Sequence, residues 1–405
     1  MEKTGRAFAA FDEYEVAWDL PSVIAWVVTE GYGTGDLAKL SDGLSQLLCD
    51  RGLPLMRTRI SFLALHPQVF VRGCTWNRGA GAVYYERPHA VLETDSYKGS
   101  PAEHLRTTQT PFRRRLVALD EGVDHTLLFE LARDGGTDYF AVPVEFSNGS
   151  MGGSLMLVTD GPGGFTDADL AALQAMIRFL SPILELFQTQ HTARTVLNTY
   201  VGPRTGARVL DGKIRRGDSE TIKAALWFSD LRNFTHFTET LPLEELLRML
   251  NEYFELVAAA VTANGGEILR FIGDAMLIVF PEDTQMDGRD PCSAALDAAR
   301  DAFASLATVN FRRRRQGVAA IEFGVGLHVG EVIYGNVGAP DRLDFTVMGA
   351  AVNRTARLES LTKDLDTPLL VSAEFAARAD CEVCSLGAHA MKGVPEAVEV
   401  FVPED

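Results

Sequence analysis

Glu267-Ile268-Leu269-Arg270-Phe271-Ile272-Gly273-Asp274-Ala275-Met276-Leu277-Ile278-Val279-Phe280 consists of two apolar runs broken at Gly-Asp. Aliphatic and aromatic residues on either side of such a pair read as a β-hairpin with an acid at its turn. A further apolar run, Trp227-Phe228-Ser229, leads into Asp230-Leu231-Arg232-Asn233-Phe234-Thr235. It reads as a buried strand that delivers a second acid to the mouth of a loop. If the two strands are neighbours, both carboxylates reach one point in space. A carboxylate pair with no His or Cys close in sequence suits hard, oxygen-preferring cations such as Mg²⁺ or Mn²⁺. Farther on, Asn353 and Arg357 stand four residues apart in a helical pattern and so share one helix face.

The chain around this constellation has 405 residues, more than one ordinary core organises, so two domains are expected. Its formal charge of −17 argues against sequence-independent nucleic-acid binding, which needs a basic face. No apolar run approaches the roughly 20 residues of a membrane span, and Met-Glu-Lys-Thr-Gly-Arg at the start lacks the apolar core of a signal peptide. Cys381 and Cys384 form a lone Cys-x-x-Cys without a second pair and read as ordinary thiols. A cytoplasmic, reduced protein is the expectation.

Residues from about 20 to 160 alternate helix-like and strand-like stretches. Asp36 to Cys49 has helical spacing, and Arg59 to Val71, Ala82 to Arg87, Tyr139 to Phe146 and Ser154 to Thr159 read as strands. The last two are joined by Ser147-Asn148-Gly149, a hairpin signal. An antiparallel sheet flanked by helices, an α+β domain, follows. A long amphipathic helix begins after Thr166, an N-cap candidate with Asp167 and Asp169 in the first turn. Its apolar stripe fits packing on its own sheet or a short parallel dimer seam, and different faces could do each job. Thr195 to Asp218 reads as a linker. In the C-terminal part, Lys223 to Ser229 is a strand and Glu244 to Thr262 a helix closed by Asn264-Gly265. Pro291 to Leu306 is a second helix, and Ile321 to Val325 and Val332 to Val337 make a strand pair. Val352 to Thr362 is a third helix and Pro368 to Ser372 a late strand, giving a sheet covered by helices on one face. The run Arg312 to Arg315 reads as a solvated loop.

Four blocks occur in order: Phe228-Ser229-Asp230-Leu231-Arg232-Asn233-Phe234-Thr235; Arg270-Phe271-Ile272-Gly273-Asp274; Gly326-Leu327-His328-Val329-Gly330-Glu331-Val332; and Gly349 to Leu358. On these blocks the segment from about Lys223 to Val402 resembles the catalytic domain of class III nucleotidyl cyclases, the adenylate and guanylate cyclases. The resemblance covers a little under half of the chain. It implies a ferredoxin-like, palm-type α+β catalytic domain over 223–405. The pattern of the N-terminal region, notably Asp138 to Val144 and the Gly152-Gly153-Ser154 strand, resembles a GAF-type sensor over 1–165. The segment 166–222 would then be a long helical linker that transmits a signal.

Members of the resembled family let the 3′-hydroxyl of a nucleoside triphosphate attack its own α-phosphate. The resemblance implies two ions, Mg²⁺ or Mn²⁺, per site, with Asp230, Asp274 and the Leu231 carbonyl as ligands. Asn233, Phe234 and Thr235 would hold phosphate oxygens at a helix start, and Gly273 would let the backbone approach the ligand. By the same resemblance Asn353 orients the ribose, Arg357 braces charge on the α-phosphate, and Lys392 binds phosphate. Arg354, one residue from Asn353, points elsewhere.

Base choice departs from the family's usual pattern. Adenylate cyclases generally carry Lys where this chain has Arg270, and Asp where it has Thr346. Thr at that position resembles the class IIIb subgroup, which makes cyclic AMP. Guanylate cyclases use Glu at the first position, and a guanidinium is donor-only, which favours ATP while leaving GTP as the alternative. The family's metal acids and Asn–Arg pair come from opposite subunits, so the resemblance implies a homodimer with two equivalent sites. Regulation by a small molecule or protein at the N-terminal domain is the expected mode. A catalytically silent nucleotide-binding dimer is the reading from another functional class.

Overall fold

The computed structural model describes residues 15–284, 288–391 and 397–404, in two compact units, 1–196 and 197–405.

In the first unit six strands form an antiparallel sheet: β1 (Leu55–Leu63), β2 (Val69–Asn77), β3 (Gly81–Pro88), β4 (Phe112–Arg115), β5 (Asp138–Glu145) and β6 (Met151–Thr159), ordered β3-β2-β1-β6-β5-β4. Alternation along β5 assigns its two faces. Phe140, Val142 and Val144 enter one core with helices α1 (Leu20–Trp26), α2 (Leu37–Asp50) and α5 (Asp167–Val201). Tyr139 and Ala141 enter another with α3 (Pro101–Thr108) and α4 (Thr126–Arg133). The expected antiparallel α+β layering is therefore present. The single strand expected over Arg59 to Val71 is instead a hairpin. Pro67 offers no N–H to a ladder, and the His66 ring Nδ1 accepts from the amides of Gln68 and Val69 at 3.0 and 3.1 Å, which turns the chain.

Helix α5 starts with a reciprocal cap: Thr166 N–H donates to the Asp169 carboxylate at 2.8 Å, and Asp169 N–H donates to Thr166 Oγ1 at 3.1 Å. By length and composition α5 could cross a membrane, although the sequence reading found no such run. Its Leu173, Met176, Leu180 and Leu184 are buried in the core of its own unit. The linker expected over Thr195 to Asp218 is largely helical. The α5 helix runs to Val201, and α6 (Pro203–Leu210) follows after Gly202 at φ +87°, with Pro203 suited to the first helical turn.

The second unit holds an eight-stranded mixed sheet: β7 (Ser219–Leu231), β8 (Glu267–Ile272), β9 (Ala275–Pro281), β10 (Phe323–Ala339), β11 (Arg342–Met348), β12 (Leu369–Ser372), β13 (Val383–His389) and β14 (Val398–Pro403). Its order is β13-β14-β12-β10-β7-β9-β8, with β11 paired to β10. Against this sheet lie α7 (Phe234–Thr240), α8 (Leu243–Ala263), α9 (Pro291–Arg315) and α10 (Ala350–Asp364). They do not share one face, as the sequence suggested. Phe323, Val325, Leu327 and Val329 pack in one core with residues of α8 and α9, whereas the intervening Gly324, Gly326 and Gly330 face α10.

Those glycines also explain why β10 is one 17-residue strand where a strand pair was expected. A Cβ at Gly326 would sit 2.5 Å from the Glu359 amide nitrogen, and one at Gly330 2.8 Å from the Ala351 Cβ. Glycine here serves close approach of a helix rather than a turn. The four-arginine run is likewise not a loop but the last turn of α9. Arg313 is 3% exposed, bonds Glu252 Oε2 at 2.6 Å and donates to the Ala319 carbonyl at 2.6 Å.

Candidate active site

Strand β7 lies between β10 and β9, so its C-terminal end meets the β8–β9 turn. Ser229 is the last β7 residue in register with β9, opposite Met276, and Asp230 pairs across β10 with Gly324. On the other side Ile272 and Ala275 pair, leaving Gly273 and Asp274 as a two-residue turn. Gly273 has φ +66°, the left-handed conformation that such a turn requires of its first residue. The hairpin read from the sequence is therefore present.

Asp230 and Asp274 line one cleft, and their carboxylates act on each other electrostatically. Burial, and next the Asp230 carboxylate, push Asp274 up to about 6. Lys363 of α10 places its Nζ 2.8 Å from Asp230 Oδ2. Glu359, 2% exposed, lies one helical turn earlier and is pushed up to about 7, chiefly by burial. Lys363 and Arg232 oppose that rise and Asp230 adds to it. Arg232 stands 3.8 Å from Glu359 Oε1 and donates to Thr362 Oγ1 at 2.6 Å. The acids open on a cleft of about 870 Å³ whose walls include Leu231, Asn233, Phe234, Thr235 and Lys363. Asn233 caps α7 at φ +59°, and Phe234 and Thr235 form that helix's first turn.

The donor set fits a hard divalent cation. Two carboxylates converge with the Leu231 backbone beside them, yet the described residues contain no group of three or more His, Cys, Asp or Glu that could hold a metal. Mg²⁺ commonly takes one or two carboxylates and completes its shell with water and substrate phosphates. Partial protein ligation of this kind suits a phosphate-bearing substrate.

Arg270, Thr346, Asn353 and Arg357 lie outside the walls of that cleft. On β8, Arg270 forms an ion pair with Asp344 of β11. Two residues on, Thr346 is 9% exposed and pairs with Gly335 of β10. Asn353 is exposed and Arg357 half-buried on α10. Neither side chain has a hydrogen-bond or ion-pair partner among the described residues. Arg354 instead bonds Glu374 at 2.8 Å. Lys392 lies outside the described residues. His328 is 3% exposed and contacts Ser372 Oγ at 2.7 Å. Burial pushes it down to about 4, so it is neutral and structural.

Lys363, Glu359, Arg232 and Asp344 escaped the sequence reading. A usable signal existed for two of them. Thr355, Glu359, Thr362 and Lys363 recur at helical spacing around Arg357, and a glutamate on the buried stripe of a helix calls for a partner.

Residues 218–402 match the model of the adenylate and guanylate cyclase catalytic domain. Among curated proteins, an adenylate cyclase of Anabaena cylindrica is 31% identical over 240 residues, 57% of this chain and 45% of that protein. Adenylate cyclase 1 of Rhizobium meliloti is 28% identical over 258 residues, 61% of this chain and 38% of that protein. The chain thus spans less than half the length of these relatives. The crystal structure of the adenylyl cyclase CyaB from P. aeruginosa aligns at 27% identity with a TM-score of 0.43, covering 46% of this chain and 96% of that one.

Proposed function

We propose that this chain, whose residues 218–402 match the adenylate and guanylate cyclase catalytic domain, converts ATP to 3′,5′-cyclic AMP and pyrophosphate as a homodimer regulated through a GAF-like N-terminal unit. The observation that carries the reading is the meeting of Asp230 and Asp274 at one point of a cleft lined by the start of α7. Bound there, two Mg²⁺ or Mn²⁺ ions would lower the pKa of the ribose 3′-hydroxyl and neutralise the leaving pyrophosphate. Asp230, Asp274 and the Leu231 carbonyl hold those ions. Asn233, Phe234 and Thr235 orient phosphate oxygens, with Gly273 keeping the approach open. Arg357 braces the negative charge that grows on the α-phosphate, and Asn353 fixes the ribose. Lys392 is assigned to the phosphates as well.

Because Asn353 and Arg357 lie outside the acid cleft and are unpaired among the described residues, they serve the site of a second copy. Each protomer would supply acids to one site and the Asn–Arg pair to the other.

A second reading, guanylate cyclase, draws support from the Arg270–Asp344 pair. An arginine and a carboxylate together offer donors and acceptors, so they can meet adenine at N1 and the exocyclic amine or guanine at O6 and N1–H. Thr346, two residues from Asp344, is buried, and a threonine there resembles the cyclic-AMP-forming class IIIb subgroup, which supports adenine. The test is cyclic nucleotide output from ATP or GTP with Mg²⁺ or Mn²⁺, using Asp274→Ala as control. Cyclic AMP that disappears in the variant supports the first reading; cyclic GMP in its place supports the second. Absence of either product with both metals would refute the enzyme reading for the isolated protein.

A further inference from the structure

The first unit contains a cavity of about 370 Å³ on the α3/α4 side of its sheet, inside the size range of small-molecule sites. Its walls are mostly apolar or aromatic, with three arginines among them: Arg59 on β1, Arg87 on β3 and Arg106 on α3. One acid, Glu130, also lines it. Three cations against one anion is an inversion of local charge in a chain of net −17.

None of these arginines has a carboxylate partner among the described residues. Arg59 donates through Nε to Thr75 Oγ1 at 3.0 Å and lays its guanidinium carbon 4.9 Å from the centre of the Tyr85 ring. Arg87 approaches the same ring at 5.6 Å. Arg106 donates through Nε to the Tyr97 hydroxyl. Aromatic rings thus hold the guanidiniums in place while leaving N–H groups for another acceptor. Tyr139, only 4% exposed, lines the cavity too, and its hydroxyl has no hydrogen-bond partner among the described residues. Its oxygen is not among the fully buried atoms left without a partner, so it faces open cavity space and, with the guanidinium N–H groups, offers donors to an acceptor bound there.

We propose that this cavity binds a small organic carboxylate with an aromatic or apolar body. Arg59, Arg87 and the Tyr139 hydroxyl receive the carboxylate, and the apolar walls enclose the body. The chemistry excludes a cation, which three guanidiniums would repel, and disfavours a neutral apolar molecule, which would leave Tyr139 unpaired. Binding here stands independently of the cyclase reading, because it is measured directly and not through turnover.

The test uses the full chain and three probes of nearly equal shape: 1-naphthoate, the neutral 1-naphthylmethanol and the cationic 1-naphthylmethylamine. Calorimetry and thermal unfolding are expected to show saturable naphthoate binding at least tenfold tighter than either analogue. Arg59→Gln and Tyr139→Phe should each weaken it at least tenfold. Should Arg59→Gln fail to fold by circular dichroism, the exposed Arg87→Gln variant carries the same test. No saturable naphthoate binding, equal binding of the alcohol, or unchanged affinity in the folded arginine variants would overturn the proposal.

Discussion

The two units present opposite charge to ligands that are both read as anions. The cavity of the first is walled by Arg59, Arg87 and Arg106 and lies on the face of a sheet. The cleft of the second opens beside Asp230 and Asp274 at the end of its strands. A site that only binds can meet an anion with fixed cations. A site that, on the proposed reading, would activate a hydroxyl and release pyrophosphate would gain from cations held by its own carboxylates, which fits the acids at this cleft. On these two readings, charge sign distinguishes holding from reacting.

The strongest way to break that contrast is to remove an acid. Asp274→Ala should lower cyclase kcat about a thousandfold, since metal stabilisation is worth several kcal/mol and each 1.36 kcal/mol is tenfold. Adding naphthoate should not restore it. Steady-state turnover checks this, and activity within tenfold of wild type would mean the acids do not hold the ions.

Arg357→Ala should cost about 10²–10³ in kcat, the range for losing one donor to developing charge. Mixed one-to-one with Asp274→Ala, it should recover about a quarter of wild-type activity, because half of the random dimers carry one intact site of two. No recovery, with exchange of protomers shown by native mass spectrometry, would place the acids and Arg357 in the same chain's site.

Gly326→Ala tests how the acid cleft is supported. Its Cβ would collide with the Glu359 amide at 2.5 Å, so α10 must shift, at about 1–3 kcal/mol of unfolding free energy. Urea denaturation measures it, and an unchanged midpoint would deny the close packing.

Glu359 gives a smaller, pH-dependent effect. Its folded pKa, about 7, lies above the ordinary 4.5, so the folded state holds the proton more tightly than the unfolded state. The carboxyl therefore favours folding below pH 4.5, and this contribution is lost as pH rises towards 7. Glu359→Gln should gain Tm relative to wild type over that interval, measured without metal. A difference that stays flat from pH 4.5 to 8 would contradict the shift. The smallest effect belongs to Arg354→Ala, whose half-exposed pair with Glu374 should contribute within about 1 kcal/mol.

Local chemistry made much of the second unit readable. Gly-Asp between apolar runs gave the β8–β9 hairpin, and the run ending at Asp230 gave β7. What was misread depended on partners distant in sequence. Gly326 and Gly330 look like a turn until α10 is known to lie against them. Arg313 looks solvated until Glu252 of α8 reaches it. Asp344 was passed over because its meaning comes from Arg270, on another strand. Lys363 carries no motif and gains its role only through the fold that brings α10 to Asp230.

If the proposed ions bind at Asp230, that lysine changes how the first one enters. With its ammonium 2.8 Å from Asp230, the acid already has a counterion from its own chain, so loading there would be an exchange and not a simple addition. The incoming cation would have to displace a tethered competitor whose effective concentration is fixed by the helix and cannot be diluted away. Lys363 would thereby act as a threshold, setting how much free divalent metal is needed before Asp230 lets go of its own chain.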